Sequence, residues 1–187
     1  MKNKKKLQWT ENTRKILNKC RIFDLYQVER LSPDGKGGSF FLLDAPDWIT
    51  VIPLITDGNG IDCFLMVEQY RHGSNEITLE FPAGMIDKGE LPIDAVQREL
   101  LEETGYKADQ VFEIGAVSPN PAFMNNISYT FVAKDLNFIG EQNLDEDEFI
   151  HFHLIPCTQV IENMGTGKYS NGVMMMALAY YQRWIKN

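Results

Sequence analysis

Residues 84–106 read GMIDKGELPIDAVQRELLEETGY, and the fold is decided there. The spacing predicts a helix from Pro92 to about Thr104. Pro92 suits the first turn, where its missing N–H costs no hydrogen bond. Gly105 suits the position just past the last turn, where φ > 0 ends many helices. Ala95, Val96, Leu100 and Leu101 recur at helical spacing and supply the apolar side. Glu99, Glu102 and Glu103 stand at i, i+3 and i+4, so their carboxylates share one face.

Stability alone does not favour that face. The C-terminal end of a helix carries partial negative charge, and each carboxylate there costs roughly 0.3–1 kcal/mol. Like charges three and four residues apart add repulsion. Arg98 and Lys107 offset only part of it. A bound divalent cation reverses the sign, because hard cations take oxygen ligands. The plain alternative is a solvated acidic surface, the usual meaning of a charge run.

The spacing from Gly84 through Glu90, Arg98-Glu99-Leu100 and Glu102-Glu103 to Gly105-Tyr106 matches every fixed position of the Nudix box. The chain therefore resembles the Nudix hydrolases, which cleave nucleoside diphosphates linked to another moiety. The resemblance implies an α/β/α sandwich with a mixed sheet. It also implies that Glu99 and Glu103 hold Mg²⁺ together with the backbone carbonyl of Ala83, with Mn²⁺ able to substitute. Glu102 would bind metal directly or through water, and Arg98 would orient the glutamates by ion pairing. Glu90 would pair with Arg98 or hold a water.

A chain of 187 residues is long enough for one domain with a small extension, and 44% apolar content supplies a core. The net charge of −8 argues against a nucleic-acid binder. A diphosphate remains a suitable ligand if metal mediates the contact. Cys20, Cys63 and Cys157 lack C-x-x-C spacing and read as buried free thiols of a cytoplasmic protein. No apolar run is long enough for a membrane span. The basic residues 1–6 are not followed by an apolar segment, so a secretory signal is not expected.

Residues 1–45 read as a small β unit. A strand over residues 20–30, the turn-rich residues 32–38 and a strand over residues 39–43 make a hairpin. A unit this small cannot bury a core by itself. In nucleotide-sugar members of the family such a sheet dimerises, so the resemblance implies a homodimer. Residues 46–187 form the main domain. Strands are expected over residues 48–55 and 61–70, joined by the turn Asp57-Gly58-Asn59-Gly60. Shorter strands are expected at residues 77–81, 111–117, 127–133 and 149–155. Residues 158–164 and 171–185 read as helices, with Met174, Met175 and Met176 in the core.

Gln69-Tyr70-Arg71 resembles the Gln-x-Arg stretch of the ADP-ribose pyrophosphatase branch, where the arginine contacts substrate. A guanidinium suits that role by pairing bidentately with phosphate. Glu80 would orient a ribose or merely close its strand, and Met85 would touch substrate or pack in the core. The loop Ser118-Pro119-Asn120-Pro121-Ala122-Phe123 resembles that branch's substrate loop, which makes Pro121 and Phe123 binding candidates. The branch usually has Pro-Gly where this chain has Pro-Ala, and an acidic residue where it has Asn125-Asn126. The acidic residues 141–148 (EQNLDEDE) read as solvated by charge alone. The resemblance assigns the catalytic base to that loop: Glu146 as general base, Glu148 as a further metal ligand, and Glu102 next in line as base. His151 and His153 share a strand face, without the further ligands a zinc site needs.

The expected reaction is Mg²⁺-dependent hydrolysis of a nucleoside diphosphate sugar, foremost ADP-ribose to AMP and ribose 5-phosphate. GDP-mannose or another nucleotide sugar is the alternative substrate. A non-catalytic nucleotide sensor on the same fold is the alternative of another class, although such a sensor has no need of several metal carboxylates.

Overall fold

The computed structural model describes residues 6–146 and 148–186. Among the described residues ten strands and three α-helices follow one another: β1 (Thr10–Lys19), β2 (Asp24–Leu31), β3 (Gly37–Asp44), β4 (Trp48–Thr56), β5 (Asp62–Arg71), β6 (Glu76–Glu80), β7 (Ala83–Met85), α1 (Pro92–Thr104), β8 (Tyr106–Val117), β9 (Ser128–Phe138), β10 (Ile150–Pro156), α2 (Cys157–Asn163) and α3 (Gly172–Trp184), with a short 3-10 turn at Gly167–Tyr169 before α3. The chain divides into two units. The smaller comprises Met1–Pro46 with Ser118–Ile127, and the larger Asp47–Val117 with Ser128–Asn187.

In the smaller unit, β1, β2 and β3 form an antiparallel sheet in that order. The expected hairpin is β2–β3. The strand β1 carries no apolar alternation, and all ten of its residues are exposed. Its sequence TENTRKILNK therefore gave no period to read. The segment 118–127 joins this unit through backbone and amide bonds. Leu43 N–H donates to the Phe123 carbonyl at 2.8 Å and Ala45 N–H to Asn125 Oδ1 at 3.2 Å.

The larger unit is a mixed sheet with helices on both faces, an α/β/α sandwich as expected. Its main path is β10-β5-β4-β9-β8, with β4 and β9 parallel and the other pairs antiparallel. Alternation along the central strands feeds two cores. Ile49, Val51, Leu65, Phe131 and Ala133 face Ala95, Val96 and Leu100 of α1. Ile52, Phe64, Met66 and Val132 face Val160 of α2 and Met174, Ala177, Leu178 and Tyr181 of α3.

The sheet forks where the box begins. The strand β5 pairs with β4 only over Leu54–Thr56, then leaves it and pairs with β6 from Val67 to Arg71. The opposite half of β4 pairs with β7, Thr50 facing Ala83 and Ile49 facing Gly84. A further bond, from Val51 N–H to the Pro82 carbonyl at 2.9 Å, seats the β6–β7 connection in the fork.

Three expectations change. Met174 is buried, but Met175 is exposed, because successive helical residues point about 100° apart. Cys20 is exposed rather than buried, since it lies at the end of a strand with no covering layer. The strands β8 and β9 are longer than expected, reaching Tyr106 and Phe138, because their pairing continues beyond their apolar stretches. Among the described residues no helix is long and apolar enough to cross a membrane.

Leu100 is fully buried between α1 and the sheet. Leu100→Ala should lower unfolding free energy by about 2–5 kcal/mol in urea titrations. A loss well under 1 kcal/mol would show that the contact between α1 and the sheet is not load-sharing.

Candidate functional site

The helix α1 delivers its acidic end to the fork. Its last turn contains no basic residue. Gly105 ends it at φ 76° and donates its N–H to the Leu101 carbonyl at 2.8 Å. This left-handed turn costs least for glycine. Glu103 is 3% exposed, and its Oε2 accepts the Ala83 N–H at 3.1 Å across the fork. Glu99 lies one turn earlier and leans against Gly84. A Cβ built at Gly84 would stand 1.8 Å from Glu99 Oε1, so only glycine leaves room for that carboxylate.

Arg98 holds this assembly together. Its Nε and Nη2 bind the two oxygens of Glu90 at 2.9 and 2.8 Å, a bidentate pair. Its Nη1 donates to Glu99 Oε1 at 2.7 Å and to Glu102 Oε2 at 3.3 Å. Its Nη2 also reaches the Met85 carbonyl at 2.9 Å. The expected ion pairing is therefore present, and Glu90 takes the pairing role. Met85 enters through its backbone, and its side chain is exposed rather than packed in the core.

Glu99 and Glu103 both resist ionisation. Burial pushes Glu99 up to about 7, with the charges of Glu102 and Glu148 adding to it and Arg98 opposing. Burial likewise pushes Glu103 well above the usual carboxylate range, helped by Glu99 and Glu148 and opposed by the Ala83 N–H and Arg71. Glu90 moves the other way, held low by its hydrogen bonds from Arg98.

On the other arm of the fork, Arg71 and Glu80 form a second bidentate pair at 2.9 and 2.6 Å. Glu80 is 2% exposed and also accepts from the Thr78 hydroxyl. Burial raises its pKa, but the hydrogen bonds and charge of Arg71, with hydrogen bonds from Thr78 and Asn171, together outweigh it and hold the group below the usual carboxylate value. Of the two sequence readings for Glu80, neither described this: its carboxylate anchors Arg71. The Arg71 side chain stays 41% exposed, within the fields of Glu103 and Glu148.

The acidic loop supplies the third side. Glu148 is the loop carboxylate whose charge acts on Glu99, Glu103 and Arg71. Glu146 is exposed in the turn just before it. The loop is fastened to α1: Asn143 N–H donates to the Glu102 carbonyl at 3.0 Å, and Gln142 Nε2 donates to the Glu103 carbonyl. Sequence reasoning missed Gln142, since an amide in a run of acids gives no signal of burial. Pro121 and Phe123 belong to the smaller unit, apart from the residues gathered in the larger one.

Among the described residues no three carboxylate, thiol or imidazole side chains converge into a ready metal cage. The donor chemistry nevertheless fits a hard divalent cation. A buried and a half-buried carboxylate, Glu103 and Glu99, are present with raised pKa values, and the charge of Glu148 adds to both shifts. The missing side chain at Gly84 makes a cradle that only a carboxylate occupies. An oxygen-rich donor set of this kind suits Mg²⁺ or Mn²⁺ rather than zinc.

The NUDIX domain family matches residues 47–174. An ADP-ribose pyrophosphatase of Bacillus subtilis (strain 168) is 29% identical over 163 residues, covering 87% of this chain and 86% of the relative. A methanol dehydrogenase activator of Bacillus methanolicus is 32% identical over 153 residues, covering 80% of each. The fold is similar to a solved ADP compounds hydrolase, with a TM-score of 0.83, 22% identity and 96% of both chains covered.

Two outcomes follow for this site. Gly84→Ala should displace Glu99 and lower activity at least a hundredfold, read in steady-state assays, while thermal unfolding shows a folded protein. The carboxylates also set a pH dependence. Because the folded pKa of Glu99 lies near 7, above the unfolded carboxylate value, the native state holds the extra proton between those values. The metal-free protein should therefore lose stability as pH rises from the unfolded carboxylate value to about 7, measured as Tm with chelator present. Added Mg²⁺ should offset that loss at pH 8.

Proposed function

The chain belongs to the Nudix hydrolase family, and from that membership we propose that it hydrolyses the diphosphate of a nucleoside diphosphate sugar, foremost ADP-ribose to AMP and ribose 5-phosphate. The observation that carries this reading is the buried Glu103 and its neighbour Glu99 at the end of α1, set across the fork of the sheet from Ala83 and Gly84. Carboxylates alone would repel a diphosphate. Carboxylates that hold cations, beside a half-exposed guanidinium, attract it.

Glu99, Glu103 and Glu148, with the Ala83 carbonyl, would hold the metal, Mg²⁺ foremost with Mn²⁺ as substitute. That ion supplies positive charge to the diphosphate and makes a water easier to deprotonate. Arg71 binds phosphate with the edge that Glu80 leaves free. Arg98 keeps Glu99 and Glu102 aimed, and Glu102 reaches the metal directly or through water. Glu146 takes the proton from the attacking water, a base held in the solvent-exposed turn two residues before Glu148. Met85 contributes a contact to base or sugar.

ADP-ribose ranks first because the relative from Bacillus subtilis is an ADP-ribose pyrophosphatase. GDP-mannose is the second substrate to test. A silent sensor is disfavoured by Glu99 and Glu103, whose ionisation is costly without a cation to hold.

We further propose a homodimer formed through the smaller unit, in a reducing cytoplasmic setting. Exposed apolar side chains on its sheet support the assembly: Ile16 and Leu17 on β1, Phe40 and Phe41 on β3. The three free thiols fit the compartment.

Mass spectrometry after incubation with a nucleotide-sugar panel should show AMP and ribose 5-phosphate from ADP-ribose, only with divalent metal. Glu103→Gln should lower kcat by orders of magnitude. Glu146→Gln should lower kcat with little change in KM. Full turnover in chelator, or no cleavage of any panel member, would overturn the reading. Sedimentation of the whole chain should show a dimer that Phe41→Asp converts to monomer.

A further inference from the structure

The acidic loop is closed by one side chain. Gln142 Nε2 donates both to the Glu103 carbonyl and, at 3.3 Å, to the Ile150 carbonyl. The first acceptor belongs to the last turn of α1, and the second opens β10. One amide thus joins the exit of the metal-site helix to both stems of the loop that carries Glu146 and Glu148.

The neighbouring bonds work in the same direction. Asn143 N–H donates to the Glu102 carbonyl at 3.0 Å, and Ile139 N–H to the Gly105 carbonyl at 3.0 Å. The Gly140 carbonyl passes so close to Gly105 that an added Cβ would stand 2.1 Å from it. Carbonyls at the end of a helix lack partners within the helix. Here the loop supplies those partners, so helix end and loop hold one another.

The chemical type of Gln142 matters. Lysine and arginine commonly cap helix ends, because their charge suits the dipole. At this end a cation would pair with Glu102 or Glu103 and compete with a divalent metal for them. A neutral amide satisfies the carbonyls and leaves the carboxylates ionisable. We propose that Gln142 is a positioning residue: it fixes the loop that carries Glu148 against the last turn of α1, the turn that presents Glu103. This rests on the proposed role of Glu148 as a metal carboxylate.

The test uses the whole chain and a readout independent of turnover. Mn²⁺ affinity is measured by electron paramagnetic resonance titration for wild type, Gln142→Ala, Glu148→Gln and the double variant. Amide exchange at Asn143 reports whether the loop stays docked. Gln142→Ala should weaken Mn²⁺ binding about tenfold, speed exchange at Asn143 and raise the Mg²⁺ concentration for half-maximal rate. A purely structural role would lower Tm without moving metal affinity. In the Glu148→Gln background, Gln142→Ala should weaken Mn²⁺ binding no further, since the ligand it positions is gone. Unchanged affinity in Gln142→Ala, or effects that simply add, would overturn the proposal. If Glu148→Gln alone leaves Mn²⁺ affinity unaltered, the ligand role of Glu148 fails first, and the positioning role fails with it. Should Gln142→Ala not fold, Gln142→Met keeps the side chain's length without its donor and makes the same comparison.

Discussion

A buried carboxylate, Glu103, and a half-buried one beside it, Glu99, at the negative end of a helix are the constraint to which the larger unit answers. Glu103 is almost sealed from solvent, and Glu99 sits one turn away with its pKa near 7. Removing such charges from water is expensive unless each is paired. The structure pairs them sparingly. Glu99 receives one arginine nitrogen, and Glu103 receives one backbone N–H. Arg98 gives its bidentate edge to Glu90 and only one nitrogen to Glu99. The same economy shows at Arg71, whose bidentate edge is taken by Glu80. Arg98 has its donors engaged by Glu90, Glu99, Glu102 and the Met85 carbonyl, whereas Arg71 is fixed by one carboxylate and stays partly exposed.

Backbone geometry brings these parts together. The fork between β4 and β5 admits the segment that leads into the box, so the Ala83 N–H and the bare Gly84 face α1. The cores on the two sheet faces fix α1 and α3 independently. Precision at the site therefore depends on strand pairing and helix packing rather than on the site's own charges.

Much of this was legible in the chain. The helix over Pro92–Thr104, its glycine stop and the shared face of Glu99, Glu102 and Glu103 follow from periodicity and punctuation. Pairing of Arg98 with the glutamates was implied by the resemblance to the Nudix box. Other features had no local signal. β1 is polar along its whole length, and its pairing with β2 is not encoded in a hydrophobic period. The bond from Ala83 to Glu103 joins residues twenty apart through a backbone atom, which no side-chain pattern reveals. The anchoring of Arg71 by Glu80 depends on a register between β5 and β6 that short strands do not announce. Gln142 was hidden because its partners are carbonyls, which every residue has.

The forked sheet also bears on how the centre can come apart. The segment from β6 to β7 shares hydrogen bonds with both diverging strands. If it loosens, Glu80 leaves Arg71 and Ala83 leaves Glu103 in the same event. Fluctuations that open a protein locally tend to involve such contiguous cooperative pieces. A fluctuation that frees this segment would therefore undo the guanidinium clamp and the anchor of Glu103 together.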